Sequence, residues 1–265
     1  MKFRKISIGK DNFLNEDSVL ADCNKIAVSD GAGGGGMFAN LWSTYLLQQL
    51  PNKPIVGFKA LDKWIESIWE TFYNQVETIA KNLGAIELNK FYDEGSLATL
   101  AALWVQESNI EWISYGDSAV FCYDFESKKL ISNIVNPIIF NDAPYLININ
   151  APLIENGFKQ GSFPIRGDKI FFCATDALAH YIIVSYIAAN RYDNTALIKS
   201  LIEAKTKNSN FINTILIESN IDFEHNILMK LFNCAKNKSN FAKHIKKLQK
   251  SGKLAIDDNS IAFLY

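Results

Sequence analysis

Residues 110–124 read IEWISYGDSAVFCYD, and this stretch decides the fold. The two halves, Ile110–Tyr115 and Ala119–Asp124, are apolar and rich in aromatic and β-branched residues, which predicts two β-strands. Between them lies Gly116-Asp117-Ser118, a turn signal typical of a hairpin between neighbouring strands. A hairpin joins antiparallel strands, so the stretch indicates an antiparallel sheet.

The rest of the chain extends this pattern with strands in one run and helices in two blocks. Further apolar runs predict strands at Lys25–Ser29, Leu97–Val105, Lys169–Ala174 and Ile261–Tyr265. Apolar residues at three- and four-residue steps predict helices at Met37–Leu50, Ala60–Leu83, Ala177–Ala189, Thr195–Ala204 and Phe241–Gln249. Strands and helices that occur in separate runs favour a layered α+β fold over an alternating βαβ fold.

Length and composition predict one globular domain spanning residues 1–265. The chain is 48% hydrophobic and 21% charged, and no linker rich in Pro, Gly or Ser divides it. A formal net charge of −1 gives no general attraction to nucleic acid or to anionic lipid, so neither is expected as a partner. The lysines of 236–253 alternate with apolar residues at helical spacing, which favours a solvated helix face over a membrane or acidic-partner surface.

The N-terminal sequence predicts where the protein is located, and the spacing of cysteines and histidines bears on zinc binding. The N-terminal residues lack the apolar segment of a signal peptide, and no run of about 18 apolar residues predicts a membrane span. We therefore expect a cytoplasmic protein. The cysteines and histidines show no ligand spacing, so a zinc site is not predicted.

Acidic residues recur where the predicted strands begin or end. They occur in Asn15-Glu16-Asp17, Ser29-Asp30-Gly31, Gly116-Asp117-Ser118, Thr175-Asp176-Ala177 and Asp257-Asp258-Asn259. Any single acid of this kind is explained by a helix cap or a turn, but the repetition is harder to explain that way. If the strand ends converge, the carboxylates need a compensating charge, and oxygen ligands suit Mg²⁺, Ca²⁺ or Mn²⁺. Two such ions, roughly 3.5–4 Å apart in two-metal enzymes, suit phosphate chemistry.

A glycine-rich segment follows Asp30. Residues 31–36 read GAGGGG, with no Gly-Lys-Ser/Thr of a P-loop and no dinucleotide-binding fingerprint. A flexible loop is one interpretation. A tight turn beside a metal is the better one, because only glycine lets a main-chain carbonyl come close enough to serve as a ligand.

The order of these motifs resembles that of the PPM-type, or type 2C, metal-dependent serine/threonine protein phosphatases, over nearly the whole chain. The matching segments are Asn15-Glu16-Asp17-Ser18, Val28-Ser29-Asp30-Gly31-Ala32-Gly33-Gly34, Gly95-Ser96-Leu97-Ala98-Thr99-Leu100, Gly116-Asp117-Ser118, Arg166-Gly167-Asp168 with Thr175-Asp176-Ala177-Leu178, and Asp258-Asn259-Ser260-Ile261. Each motif is weak alone, whereas their order and strand context are specific. The resemblance implies a four-layer sandwich in which two central antiparallel β-sheets are flanked by helices on both sides.

The resemblance also implies the site. Two ions, Mn²⁺ or Mg²⁺, would be held by Glu16, Asp30, the Gly31 carbonyl, Asp176 and Asp258, with Asp30 bridging both, and Asp117 would help to hold a third, weaker ion. Asp17 would orient metal-bound water. Of the adjacent Asp257 and Asp258, the second is preferred because Asn259 follows it.

The implied reaction is hydrolysis of phosphoserine or phosphothreonine by a hydroxide bridging the two ions, on a phosphoprotein made by a cognate serine/threonine kinase. The chain departs from the family at Asn12, where many members carry a phosphate-gripping arginine, and at Ala32, where eukaryotic members carry histidine. Lys10 would substitute as a point charge without the bidentate fork of arginine.

The sequence leaves three alternatives to an active protein phosphatase. The first is a catalytically weak or inactive phosphatase-fold module that binds a phosphoprotein or partner for regulation, which Asn12 favours. The second is a purely structural role for the acids as caps and turns. The third is hydrolysis of a small phosphate ester or nucleotide, which shares the chemistry and differs in pocket shape.

Overall fold

The strands form two five-stranded antiparallel sheets and a two-stranded ribbon in the computed structural model, which describes residues 1–10, 13–204, 209–218 and 220–265. The strands are β1 (Phe3–Ile8), β2 (Ser18–Ala21), β3 (Lys25–Ser29), β4 (Leu97–Ala98), β5 (Leu100–Val105), β6 (Asn109–Tyr115), β7 (Ala119–Asp124), β8 (Lys129–Ser132), β9 (Ile147–Asn148), β10 (Phe158–Pro164), β11 (Lys169–Ala174) and β12 (Asn259–Leu264). The first sheet has the order β1-β12-β11-β7-β8, and the second has the order β10-β6-β5-β3-β2. Strands β4 and β9 form the ribbon.

The predicted hairpin at 116–118 is wrong, although both of its strands are present. β6 pairs with β5 and β10, whereas β7 pairs with β11 and β8, so the turn carries the chain from one sheet to the other. Gly116 has a φ of 91°, and a Cβ there would lie 2.6 Å from the Tyr145 carbonyl oxygen. The glycine is therefore needed for a tight crossing between sheets rather than for a two-stranded loop.

The helices lie outside the two sheets. They are α1 (Ala39–Gln49), α2 (Phe58–Leu83), α3 (Ala85–Glu94), α4 (Asp176–Ala189), α5 (Thr195–Glu203), α6 (Ser209–Ile217), α7 (Met229–Cys234) and α8 (Lys238–Lys250). The five predicted helices are confirmed, and α3, α6 and α7 are additional. None of the helices among the described residues is long and apolar enough to cross a membrane.

Three apolar cores separate four layers, as the resemblance implied. The alternation along a strand sends Val120 and Cys122 of β7 into the core between the two sheets, and Phe121 and Tyr123 into the core under the C-terminal helices. Helices α1 to α3 cover the other sheet over a core that includes Trp42. The fold is thus α+β, with two antiparallel sheets between helical layers.

The buried histidine of α4 makes stability depend on pH. His180 is 9% exposed and stacks on Phe140 at 4.8 Å between ring centroids, and its burial lowers the pKa to about 4 from 6.5. As the pH falls, His180 is therefore protonated in the unfolded chain before it is protonated in the folded chain. The stabilisation is complete above pH 6.5, falls as the pH drops toward 4, and totals on the order of 3 kcal/mol at most.

We expect His180→Leu to remove this contribution. The free energy of unfolding of the variant minus that of the wild type should rise as the pH is lowered from 6.5 to 4. Urea unfolding in chelator across this range measures the difference, and a difference that does not change with pH would contradict the prediction.

Candidate functional site

The strand ends of both sheets converge on one acidic pocket. Its volume is about 300 Å³. The polar lining comprises Lys10, Glu16, Asp30, the backbone of residues 31–34, Thr99, Asp117, Asp142, Asp176, Asp257 and Asp258, and the apolar lining includes Phe140, Pro144 and Leu146. The structure therefore brings together every predicted metal-site residue, and Lys10 with them. Asp17 lies beneath the pocket and is buried.

Asp30 is fixed by the end of β3. The Ser29 hydroxyl donates to the Thr99 carbonyl at 2.7 Å, the Asp30 amide donates to the Thr99 hydroxyl at 3.1 Å, and the Thr99 amide donates to the Asp30 carbonyl at 2.8 Å. These bonds occupy the backbone of Asp30. No described residue donates a hydrogen bond to its carboxylate, so the carboxylate is available to a ligand in the pocket.

Gly31 is required by close packing rather than by an unusual φ. A Cβ at this position would lie 2.6 Å from the Glu16 carbonyl oxygen and 2.7 Å from the Ala39 carbonyl oxygen, and neither backbone can easily move. A Cβ on Gly33 would collide with the Glu16 carboxylate. The two glycines thus allow the loop to pack against Glu16.

Gly31→Ala is expected to lower the free energy of unfolding by about 1–3 kcal/mol, because the methyl group would overpack the contact with Glu16 and Ala39. Gly34→Ala is the matched control, since a Cβ there meets nothing within 4 Å. Denaturant unfolding of the two variants in chelator tests the prediction, and equal stabilities would contradict it.

Asp17 is held in the layer below the pocket. The Thr175 hydroxyl donates to Asp17 Oδ2 at 2.8 Å, while Asp17 Oδ1 is buried without a hydrogen-bond partner. Burial is the main cause of a pKa raised to about 7, and the negative charges of Asp258 and Asp257 add to it against the hydrogen bonds from Thr175 and Ser260. An unpaired carboxylate oxygen at this depth is costly unless a cation or a water meets it.

The other acids raise one another's pKa. Burial, followed by the charges of neighbouring aspartates, raises the pKa of Asp30 and of Asp176 well above the ordinary value. Burial and the charge of Asp257 raise the pKa of Asp117 to about 6. Asp176 is in the first turn of α4, where the helix dipole offsets part of its charge. The cluster therefore carries more negative charge than its protein surroundings compensate.

Asp257 and Asp258 both line the pocket, but the fold holds them in different ways. The Asp257 charge raises the pKa of Asp17, Asp30, Asp117 and Asp176, and its side chain is 41% exposed. Asp258 is 3% exposed. Its two carboxylate oxygens accept hydrogen bonds from the backbone amides of Lys10 and Glu16, both at 2.7 Å. Both oxygens of Asp258 thus accept backbone hydrogen bonds, whereas the carboxylate of Asp257 pairs with Lys10, and the prediction of Asp258 as the ligand stays a prediction.

Lys10 is the cation of the pocket lining. Its Nζ lies 3.3 Å from Asp257 Oδ1 and 3.7 Å from Glu16 Oε2. Burial lowers the pKa of Lys10, but the charges of Asp257, Asp258 and Glu16 outweigh it and raise the pKa above the ordinary value. The predicted phosphate-binding lysine is therefore in the pocket and pairs with two of its acids. Asn12, which stands where many family members carry arginine, lies outside the described residues.

The donor set fits hard divalent cations. It consists of carboxylate oxygens and the glycine-rich backbone, and Mg²⁺ and Mn²⁺ bind oxygen ligands of this kind. The unpaired Oδ1 of Asp17 and the raised pKa of Asp30 indicate that the site lacks positive charge. Within the described residues, no group of three or more His, Cys, Asp or Glu side chains is arranged so that it could hold a metal ion. The acids share a pocket without forming a ready ligand group.

Comparison with known proteins supports the fold. No protein-family model matches the chain, and no curated protein matches its sequence. Among solved structures, the serine/threonine phosphatase Stp1 from Staphylococcus aureus is 12% identical, with a TM-score of 0.51 over 99% of this chain and 93% of that one. The phosphatase PstP/Ppp of Mycobacterium tuberculosis is 15% identical, with a TM-score of 0.51 over 99% and 97%.

A third structure, the catalytic domain of the phosphatase PstP in complex with two manganese ions, is 14% identical, with a TM-score of 0.51 over 98% and 96%. The chain therefore has the fold of the PPM-type serine/threonine phosphatases, as the order of its motifs indicated.

Proposed function

We propose that the chain is a metal-dependent phosphoprotein phosphatase acting on phosphoserine or phosphothreonine, and that it opposes a serine/threonine kinase. The observation that carries the proposal is the meeting of acids from both sheets in one pocket, with the fold of known phosphatases around it. The proposed metal residues are Glu16, Asp30, the Gly31 carbonyl, Asp117 and Asp176, with Asp257 in place of Asp258.

The ions proposed are two of Mn²⁺ or Mg²⁺, with a third and weaker ion near Asp117. When bound, they would acidify water and offset negative charge on the phosphoryl oxygens. The chain's own groups would do the rest. Asp17, with its free Oδ1 beneath the pocket, would orient water, and Lys10 would attract the substrate phosphate as a point charge.

A regulatory module with weak turnover is the second candidate, and the ion pairs of Lys10 favour it. The ammonium group already pairs with Glu16 and Asp257, two of the proposed ligands, so that metal must compete with it. A lysine held this way is also less available to a substrate phosphate.

Hydrolysis of a phosphothreonine peptide by the purified protein, with Mn²⁺ and with chelator, separates the two candidates. We expect phosphate release that depends on Mn²⁺. Mn²⁺ binding without release from several phosphopeptides would favour the regulatory module. Release from a small phosphate ester but from no phosphopeptide would move the substrate to that class, and neither binding nor release would leave the acids with a structural role.

A further inference from the structure

A second cavity with the opposite charge lies in the C-terminal helical layer. Its volume is about 890 Å³, and it shares no lining residue with the acidic pocket. One wall is α8, which contributes Lys243, His244 and Lys247. The facing wall comes from the π-helical turn Phe223–Leu228 and from α7, which contribute His225 and Lys230. We call this cavity the basic groove.

Basic side chains outnumber acids in the lining of the basic groove, although Asp222 and Glu224, which do not line it, pair with His225. Glu218 is the acid among the described lining residues, and it pairs with Lys253. Lys230, Lys243 and Lys247 form no ion pair with a described residue. Since the whole chain has a formal net charge of −1, this concentration of lysines is a local feature and not a consequence of a basic protein.

The environment of His244, which lines the basic groove, shows the same excess of positive charge. Its Nε2 is buried without a hydrogen-bond partner. Its pKa is lowered to about 4, first by burial and then by the positive charges of Lys230 and Lys247. The two lysines stand on opposite walls, so both walls direct positive charge into the same space.

We propose that the basic groove binds a small, multiply charged phosphate compound of the nucleoside polyphosphate class. Cations on facing walls suit a compact ligand, because several phosphate charges then lie within reach of both walls. A volume of about 890 Å³ is in the range of small-molecule sites. The apolar part of the lining comprises the half-buried Ile221 and the edges of the buried Tyr181, Ile227 and Leu248, and a base or ribose would lie against it. An acidic peptide spreads its charges along a chain and is less well matched to this shape.

Calorimetric titration of ATP into the whole protein, in chelator, tests the proposal. Without divalent ions the acidic pocket repels the ligand, so the measurement does not depend on phosphatase activity. We expect one site, and binding about tenfold weaker in the double variant Lys243→Gln/Lys247→Gln. The double variant Lys238→Gln/Lys250→Gln is the matched control, because it loses the same charge from the same helix at residues that do not line the groove.

Inorganic tripolyphosphate and a hexaglutamate peptide complete the experiment, and circular dichroism checks that both double variants are folded. Tripolyphosphate binding that the groove variant also weakens would support the phosphate recognition. The proposal is overturned if ATP does not saturate the protein, or if both double variants weaken ATP binding equally. It is also overturned if hexaglutamate binds more tightly than ATP and depends on Lys243 and Lys247.

Discussion

Asp30→Asn is expected to abolish Mn²⁺-dependent phosphate release while making the metal-free protein more stable. Asp30 follows the end of β3 and lines the acidic pocket, and the proposed function makes it one of the residues that would hold the ions. Changes to mere outer-shell partners of a metal ligand cost roughly 10–100-fold in affinity or activity. We therefore expect a loss of at least about 100-fold for this ligand.

The stability effect has a separate physical cause. Burial, then the charges of Asp17, Asp176, Asp117 and Asp257, raises the pKa of Asp30 well above its ordinary value. Folding without metal must therefore either protonate this carboxyl or hold it charged among like charges. A neutral amide removes that cost, and we expect a gain of at least about 1 kcal/mol in chelator, the equivalent of one pKa unit.

Thermal unfolding with and without Mn²⁺ measures both effects. Wild type should gain about 2.7 kcal/mol when Mn²⁺ is at 100 times its dissociation constant, and the variant should gain much less. Asp93→Asn, the same change at an exposed residue of α3, should leave activity and the Mn²⁺ response unchanged. A variant that is less stable than wild type in chelator would show that Asp30 is structural, and undiminished activity would remove it from the site.

The central strands were predictable from the sequence, whereas the edges were not. The strands predicted from apolar runs are those inside the two main sheets: β12, β11 and β7 in one, and β6, β5 and β3 in the other. The strands of the two main sheets that were missed, β1, β8, β10 and β2, are the four edges, and β9 of the ribbon was missed as well. A central strand is buried on both faces and reads as a continuous apolar run, but an edge strand such as FRKISI mixes polar and apolar residues.

A turn signal does not state which strands pair. Gly116-Asp117-Ser118 was correctly predicted as a tight turn, but the strands on either side belong to different sheets. The pairing is decided by contacts remote in sequence, such as Phe172 of β11 opposite Phe121 of β7. Residue preferences at the turn carry no information on these partners.

The acidic pocket itself was predictable, because acids at the ends of neighbouring buried strands lie close together when those strands belong to one β-sandwich. The contacts that distinguish the adjacent Asp257 and Asp258 were not predictable. Ile8 of β1 lies opposite Asn259 of β12, and this register brings Lys10 close to the residues before Asn259. The Lys10 amide therefore donates a hydrogen bond to the carboxylate of Asp258. Chain neighbours cannot reveal a bond across 248 positions.

Replacing Asp257 and Asp258 one at a time is expected to show which of them stabilises the fold and which of them binds metal. Asp258→Ala removes the acceptor of two backbone amides, of Lys10 and Glu16. Hydrogen bonds to a charged group contribute about 1.5–3 kcal/mol each. We expect the free energy of unfolding in chelator to fall by about 3–6 kcal/mol, a large part of the roughly 5–15 kcal/mol of a typical domain.

Asp257→Ala should have the opposite profile. Its side chain is 41% exposed and accepts hydrogen bonds from Lys10 Nζ and from the amide of Asp258, so the fold should tolerate the change within about 1 kcal/mol. The Mn²⁺-induced rise in unfolding temperature and the phosphate release should be lost, because the acid that faces the cluster is gone.

Asp258→Asn keeps the comparison decisive if the alanine variant does not fold. The amide oxygen still accepts one of the two backbone bonds, so this variant should fold with reduced stability and keep its response to Mn²⁺. If Asp258→Asn folds without a Mn²⁺ response while Asp257→Ala retains one, then Asp258 is the ligand and Asp257 only pairs with Lys10. The Asp258 carboxylate would in that case hold the ion while accepting the backbone amides of Lys10 and Glu16, since each of its oxygens has two lone pairs, and this would couple the ion directly to those two residues.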